Sequence, residues 1–391
     1  MTEIHNNKNK KTWQTRLIHS NAEVPEGFQS LVPAVYRGST VVFPSASAAN
    51  SRWNQYEGGY TYGTHGTPTV LDLAGRVAEL EGGTRTLIAP SGLAAISLVQ
   101  LALLQAGDHV LIPETAYGPN RAFARAALKK FGVESTFYAP GAAIAPLLRE
   151  NTRVVWCESP GSVTMEVQDV PAIVEAAHGA GALVVMDNTW AAGVYFDALA
   201  HGIDVTLQAL TKYVAGHSDV LLGSVTVRDA KLFDQLGSMH NLLGLSVSPD
   251  ECSLALRGMK TMAVRLKAIE SSGLELARWL AGRPEVELVL HPALESCPGH
   301  EFWKRDFTGS AGVFSVVFQK NYSKAQVLRF VDSLELFETG WSWGGVTSLA
   351  AAYDLVGREY GHRIVRLNIG LEDVGDLKTD LQLGLEEFST S

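Results

Sequence analysis

The chain has 391 residues, 46% hydrophobic and 19% charged, which supplies a large core and more length than one ordinary domain uses. Its 32 Lys and Arg against 41 Asp and Glu give a formal net charge of -9, without the basic excess expected of a nucleic-acid or anionic-membrane binder. The cysteines Cys157, Cys252 and Cys297 are too far apart for a Cys-x-x-Cys site and odd in number for a disulfide framework, so a reducing cytoplasm and no metal are expected.

Along the chain, residues 1–65 carry aromatics such as Phe28, Trp53, Tyr56 and Tyr62 without a βα rhythm. Met1 to Arg16 is polar, lacks the apolar run of a secretory signal, and reads as a frayed arm. Such an arm buries its rings against something else, for instance another subunit. From Thr84 to about Thr226, β-branched runs alternate with Ala-rich stretches, the pattern of βα units feeding a mostly parallel sheet. Strands are predicted at 84–89, 109–113, 133–138, 154–158, 183–187 and 205–209, with helices starting near Gly92, Pro119 and Val170. The longest apolar stretch, 93–104, contains Ser97 and Gln100 and is too short to span a bilayer. A long helical pattern over 253–280 leads to strands at 286–290 and 312–318 and a helix over 324–334. Three parts follow: an arm over 1–65, a large domain over 66–252 and a smaller α/β domain over 253–391.

Five segments could carry chemistry. Lys212 follows an apolar strand; desolvated there, its amine becomes a nucleophile toward a carbonyl, and the alternative is a strand-end lysine reaching solvent. Asp187 ends the strand 183–187, and an acid at the carboxyl edge of a parallel sheet suits a cationic heterocycle; an ordinary turn is the alternative. Ser91-Gly92-Leu93 opens a helix whose free N–H groups can cradle a phosphate, though Ser-Gly starts many helices. Tyr117 follows another strand, where its ring could stack on a flat cofactor or simply pack. Arg366 lies on an apolar strand, where it clamps a substrate carboxylate or forms an internal salt bridge.

Taken in order, Tyr62, Ser91-Gly92, Tyr117, Asp187, Thr211-Lys212 and Arg366 resemble the pyridoxal-phosphate enzymes of cysteine and methionine metabolism, a fold-type-I family, over essentially the whole chain. Two stretches, 158–167 and Ser342-Trp343-Gly344-Gly345, are more similar to its cystathionine β-lyases than to its γ-lyases and synthases. The resemblance implies an α/β fold with a large, mostly parallel sheet domain and a smaller C-terminal domain, and pyridoxal 5'-phosphate as cofactor. Lys212 would bind that cofactor covalently and move the substrate's Cα proton, Asp187 would face the pyridine nitrogen, and Tyr117 would stack on the ring. Ser91, Gly92, Leu93 and Thr211 would hold the phosphate. Arg366, with Ser342, Trp343 and Asn188 nearby, would bind the substrate. Tyr62 would reach the neighbouring subunit's site, which implies a homo-oligomer, commonly a tetramer built as a dimer of dimers.

The implied reaction is β-elimination of a thiol from a small sulfur amino acid, L-cystathionine above all; another cysteine S-conjugate, a γ-elimination or replacement, or loss of catalysis are the alternatives. The sequence departs from its relatives at four positions. Thr64 replaces an arginine that contacts the cofactor phosphate. His65 stands where β-lyases often carry an arginine for the substrate's distal end. Trp341 replaces a common tyrosine, and Ala209 a common serine.

Overall fold

The structure, a computed structural model, describes residues 12–18, 30–51 and 59–388; Phe28, Trp53 and Tyr56 lie outside the described residues. The arm departs from expectation at its start. Helix α1 (Trp13–Ile18) buries Leu17, whose carbonyl accepts a hydrogen bond from Arg76 Nη1 at 3.1 Å. One apolar turn is enough to dock this segment, and its polar neighbours hide that turn from a composition reading. The short α2 (Ala46–Ala49) is capped by Ser45, and α3 (Pro68–Leu80) starts at a first-turn proline.

The large sheet contains β1 (Arg85–Ala89), β2 (His109–Pro113), β3 (Glu134–Tyr138), β4 (Thr152–Glu158), β5 (Leu183–Asp187), β6 (Val205–Gln208) and β7 (Gly223–Val227), in the order β1-β7-β6-β5-β4-β2-β3. Pairing is parallel from β3 to β6, and β7 runs antiparallel to both β6 and β1. Helices α4 (Gly92–Leu103), α5 (Gly118–Phe123) and α6 (Val170–Gly179) start close to where the sequence predicts. Central strands are apolar throughout because both faces are covered. Alternation still sorts their side chains: Val184 and Met186 enter one core, and Val185 enters the other.

Helix α7 (Ala230–Leu242) leads into α8 (Pro249–Ala281), 33 residues and so about 50 Å long. Its first two-thirds, from Cys252 to Ile269, packs into the large sheet's core, while Leu276, Ala277 and Leu280 enter the core of the smaller sheet. The boundary expected at 252/253 falls in its first turn. Beyond it come β8 (Val286–Leu290), α9 (His300–Asp306), β9 (Val313–Phe318), α10 (Lys324–Asp332), β10 (Glu338–Thr339), β11 (Leu349–Leu355), β12 (Gly361–Asn368) and α11 (Val374–Glu386). Their sheet has the order β10-β11-β12-β9-β8 and is antiparallel except for the β10–β11 pair. All three cysteines are buried and unpaired. Among the described residues no helix is long and apolar enough to cross a membrane, and no cluster of ligands could hold a metal.

Candidate active site

The carboxyl ends of β2, β4, β5 and β6, the start of α4 and the edge of the smaller sheet enclose a cavity of about 500 Å³, at the sheet edge where open α/β folds place ligands. Lys212 enters it from the turn after β6. That turn is fixed by its own backbone, with the Lys212 N–H donating to the Ala209 carbonyl at 3.0 Å and the Gly216 N–H to the Lys212 carbonyl at 2.8 Å. Arg265 of α8 clamps the turn from behind, donating from Nη2 to the Tyr213 carbonyl at 2.9 Å. A Cβ on Gly216, whose φ is +72°, would run into that guanidinium.

Lys212 Nζ donates to Ser342 Oγ at 2.8 Å and stands 5.3 Å from the centre of the Trp343 ring. Burial, reinforced by the neighbouring Arg366 and opposed by Asp187, lowers the lysine's pKa to about 8. The amine is therefore partly neutral near physiological pH, and the solvent-reaching alternative does not hold. Gly344 closes the contact: at φ +81°, a Cβ there would lie 3.0 Å from Lys212 Cβ.

Asp187, at the end of β5, is buried against the sheet and partly open to the cavity; desolvation raises its pKa, while the Thr189 hydroxyl and N–H and the Lys212 charge favour the carboxylate. Thr189 had no place in the sequence reading. Its hydroxyl donates to Asp187 Oδ1 and accepts the Ala209 N–H at 2.9 Å, tying the acid's strand to the lysine's. At the start of α4, the Ser91 hydroxyl accepts the Ala94 N–H at 3.0 Å, so the N–H groups of Gly92 and Leu93, both on the cavity wall, have no partner within the helix. A Cβ on Gly92 would come within 2.7 Å of Ala209 Cβ, which is why small residues meet there. Thr211 also lines the cavity, with its hydroxyl bonded to the Leu222 backbone at 3.1 Å in both directions.

The Tyr117 ring is half-exposed on the cavity wall, and the residue's N–H donates to Glu158 Oε2 at 2.7 Å. Glu158 is buried at the end of β4, and burial together with the Asp187 charge pushes its pKa well up. This acid ends an apolar strand just as Asp187 does, and that pattern could have singled it out. Arg366, on β12, is only 5% exposed. Its Nη2 donates to the Trp341 carbonyl at 3.2 Å and its guanidinium lies 5.2 Å from the Tyr353 ring centre. Among the described residues no carboxylate pairs with it, so the internal salt bridge is absent and a buried cation faces the cavity.

Asn188 is not where the resemblance suggests. Strand alternation turns it to the opposite face from Asp187, where Nδ2 donates to Glu81 Oε2 at 3.3 Å and to the Phe196 carbonyl at 3.1 Å. There Glu81 also accepts from Thr206 Oγ1 at 3.0 Å and from Gln208 Nε2, and burial raises its pKa to about 7. Tyr62 is half-exposed, and Thr64 and His65 line a separate hollow beside His240, so within one chain none of the three reaches the Lys212 cavity.

The donor set fits pyridoxal phosphate. A carboxylate on the cavity wall bonded to a hydroxyl and an amide N–H suits a protonated pyridine nitrogen, helix N–H groups without an intrahelical partner suit a phosphate, and a desolvated amine suits a carbonyl.

Comparison with known proteins gives concordant findings. The family model "Cys/Met metabolism PLP-dependent enzyme" matches residues 14–386. The cystathionine beta-lyase of Escherichia coli K12 is 42% identical over 388 residues, covering 96% of this chain and 98% of that protein. An L-alanine/L-glutamate racemase of Wolbachia pipientis wMel is 38% identical over 373 residues, covering 91% and 92%. The crystal structure of cystathionine gamma synthase from Xanthomonas oryzae pv. oryzae superposes with a TM-score of 0.90 at 31% identity, covering 97% of this chain and 99% of that one.

Proposed function

The chain belongs to the Cys/Met metabolism PLP-dependent enzymes, and on that premise we propose that it is a carbon–sulfur lyase that β-eliminates L-cystathionine to homocysteine, pyruvate and ammonia. The observation that carries this reading is the convergence of a desolvated Lys212, a buried Asp187 and an unpaired, buried Arg366 on one cavity. Identity of about 40% to named cystathionine beta-lyases supports the substrate.

When bound, pyridoxal phosphate supplies an electron-accepting ring that stabilises negative charge at the amino acid's Cα. Arg366 receives the substrate's α-carboxylate, with its planar guanidinium held by the Trp341 carbonyl and the Tyr353 ring. Ser342 holds the Lys212 amine on the Arg366 side of the cavity, where the neutral amine takes the Cα proton. The Cβ–S bond then breaks, its electron pair leaves with sulfur, and the ammonium of Lys212 returns the proton to the thiolate. Asp187, which accepts a hydrogen bond from the Thr189 hydroxyl, would face the ring nitrogen of the bound cofactor. Tyr117, Trp343 and Trp190 wall the cavity with aromatic surface that limits water.

Tyr62, Thr64 and His65 complete the site of a neighbouring copy in a homo-oligomer, a tetramer built as a dimer of dimers, in the cytoplasm. Exposed apolar side chains on the arm, Leu31 and Val42, support a covered arm.

The test is incubation of the purified, cofactor-loaded protein with L-cystathionine and identification of the products. Pyruvate with homocysteine supports the reading, whereas 2-oxobutyrate means γ-elimination. Proton removal without loss of sulfur would racemise an amino acid, the activity for which the Wolbachia relative is named, so L-alanine with chiral detection belongs in the same assay.

A further inference from the structure

Two arginines on the cavity wall have no part in the chemistry above. Arg121 lies in the first turn of α5, its N–H donating to the carbonyl of the N-cap residue Tyr117 at 3.2 Å, and both residues line the cavity. Its Nε donates to the Ala116 carbonyl at 2.9 Å, which fixes the plane of the guanidinium. Arg358 joins the same wall from the turn between β11 and β12, donating from Nη2 to the Glu114 carbonyl at 2.7 Å and standing 3.8 Å from Glu114 Oε2. Burial lowers the Arg121 pKa, the neighbouring Arg358 and Arg125 charges lower it further, and Glu158 and Glu114 oppose them without forming an ion pair to it.

The carboxyls around them do not balance this charge. Glu114 is half-exposed and shared with Arg358. Glu158 is buried and Glu166 half-buried, desolvation raises the pKa of both, and each is already engaged, Glu158 by the Tyr117 N–H and Glu166 by the Thr164 hydroxyl. No ion pair to Arg121 occurs among the described residues. The cavity thus offers two seats for anions: Arg366 in the smaller sheet, and the pair on the Tyr117 helix and the β11–β12 turn. A substrate with one carboxylate fills only the first.

We infer that Arg121, assisted by Arg358, receives a second carboxylate on the distal arm of the thioether, which makes this chain selective for dicarboxylic thioether amino acids. This rests on the lyase reading of the site. It also places this task on residues that reach the cavity within one chain, which His65, lining a separate hollow, does not.

The test uses the cofactor-loaded protein. Dissociation constants of S-(2-carboxyethyl)-L-cysteine and S-propyl-L-cysteine, similar in size and differing in charge, are read from the cofactor absorbance of the wild type. The carboxylate should bind about tenfold or more tightly, as one charge-assisted pair provides; equal affinity would overturn the inference. Kinetics of Arg121→Ala, Arg121→Lys and Arg358→Ala with L-cystathionine and S-methyl-L-cysteine then locate the effect. In Arg121→Ala, kcat/KM should fall at least about tenfold further for L-cystathionine than for S-methyl-L-cysteine, chiefly through KM, and lysine should restore part of the loss. Equal falls for both substrates, or none, would show that Arg121 only shapes the helix. Absence of pyruvate from every substrate would reject the lyase reading, while the wild-type binding pair would still decide the role of the arginines.

Discussion

Lys212 and Ser342 meet at 2.8 Å although one belongs to the turn after the large sheet's sixth strand and the other to the smaller sheet's edge. The base is thus positioned by both sheets at once, and the residue that orients it lies next in chain to the carbonyl that holds Arg366.

Lys212→Ala should lower turnover about a thousandfold or more while leaving cofactor bound through the phosphate and ring contacts, as measured by product assay and absorbance. The lysine also has a pH signature in the cofactor-free protein. Its folded pKa is about 8 against 10.5 for an ordinary lysine, so between those values the unfolded chain binds the extra proton. Stability therefore rises with pH across that window. Melting curves of the wild type and Lys212→Met should converge or cross in the wild type's favour between these pH values; a constant difference would mean an ordinary lysine.

Thr189→Val removes the hydroxyl between Asp187 and Ala209 while keeping the shape. The Ala209 N–H loses its acceptor and Asp187 a donor, at a stability cost of about 1–3 kcal/mol. Cofactor affinity should fall together with denaturant midpoint. An unchanged cofactor affinity would show that the acid needs no such tie.

Glu81→Gln addresses the buried acid under the strand ends. Its folded pKa of about 7 exceeds the 4.5 of an ordinary glutamate, so it contributes stability at low pH that is lost as pH rises through 7. The wild type should lose stability relative to Glu81→Gln between these values. Parallel pH profiles of the two melting temperatures would reject a titrating Glu81.

Thr64→Arg should slow cofactor loss, with affinity rising about tenfold if the added cation reaches a neighbouring copy's phosphate. Dialysis against phosphate buffer followed by absorbance reads this. Unchanged retention would place the arm away from the phosphate.

Much of the site is legible because its residues sit where strands stop. Asp187 and Lys212 follow short apolar runs, and 109–113 and 183–187 match their strands residue for residue. Strand β7 is hidden because Gly223-Ser-Val-Thr-Val reads as the tail of a βα repeat, and only its pairing with β6 and β1 shows that it runs backwards. Asn188 shows the limit of family resemblance: one step along the chain from Asp187 changes the face. Glu81 escapes notice because its partners lie 107–127 positions away, and Thr189 because its bond to Asp187 looks like an ordinary turn and the Ala209 N–H that gives it a role lies 20 positions on.

Helix α8 carries Arg265, which grips the turn beyond Lys212, and a few turns later Leu276 and Leu280, which are locked into the smaller sheet. It works as a lever with its two ends embedded in different bodies. The same rigid rod therefore sets the distance between the lysine's turn and the sheet that carries Arg366, so the grip on the carboxylate and the aim of the base share one mechanical support.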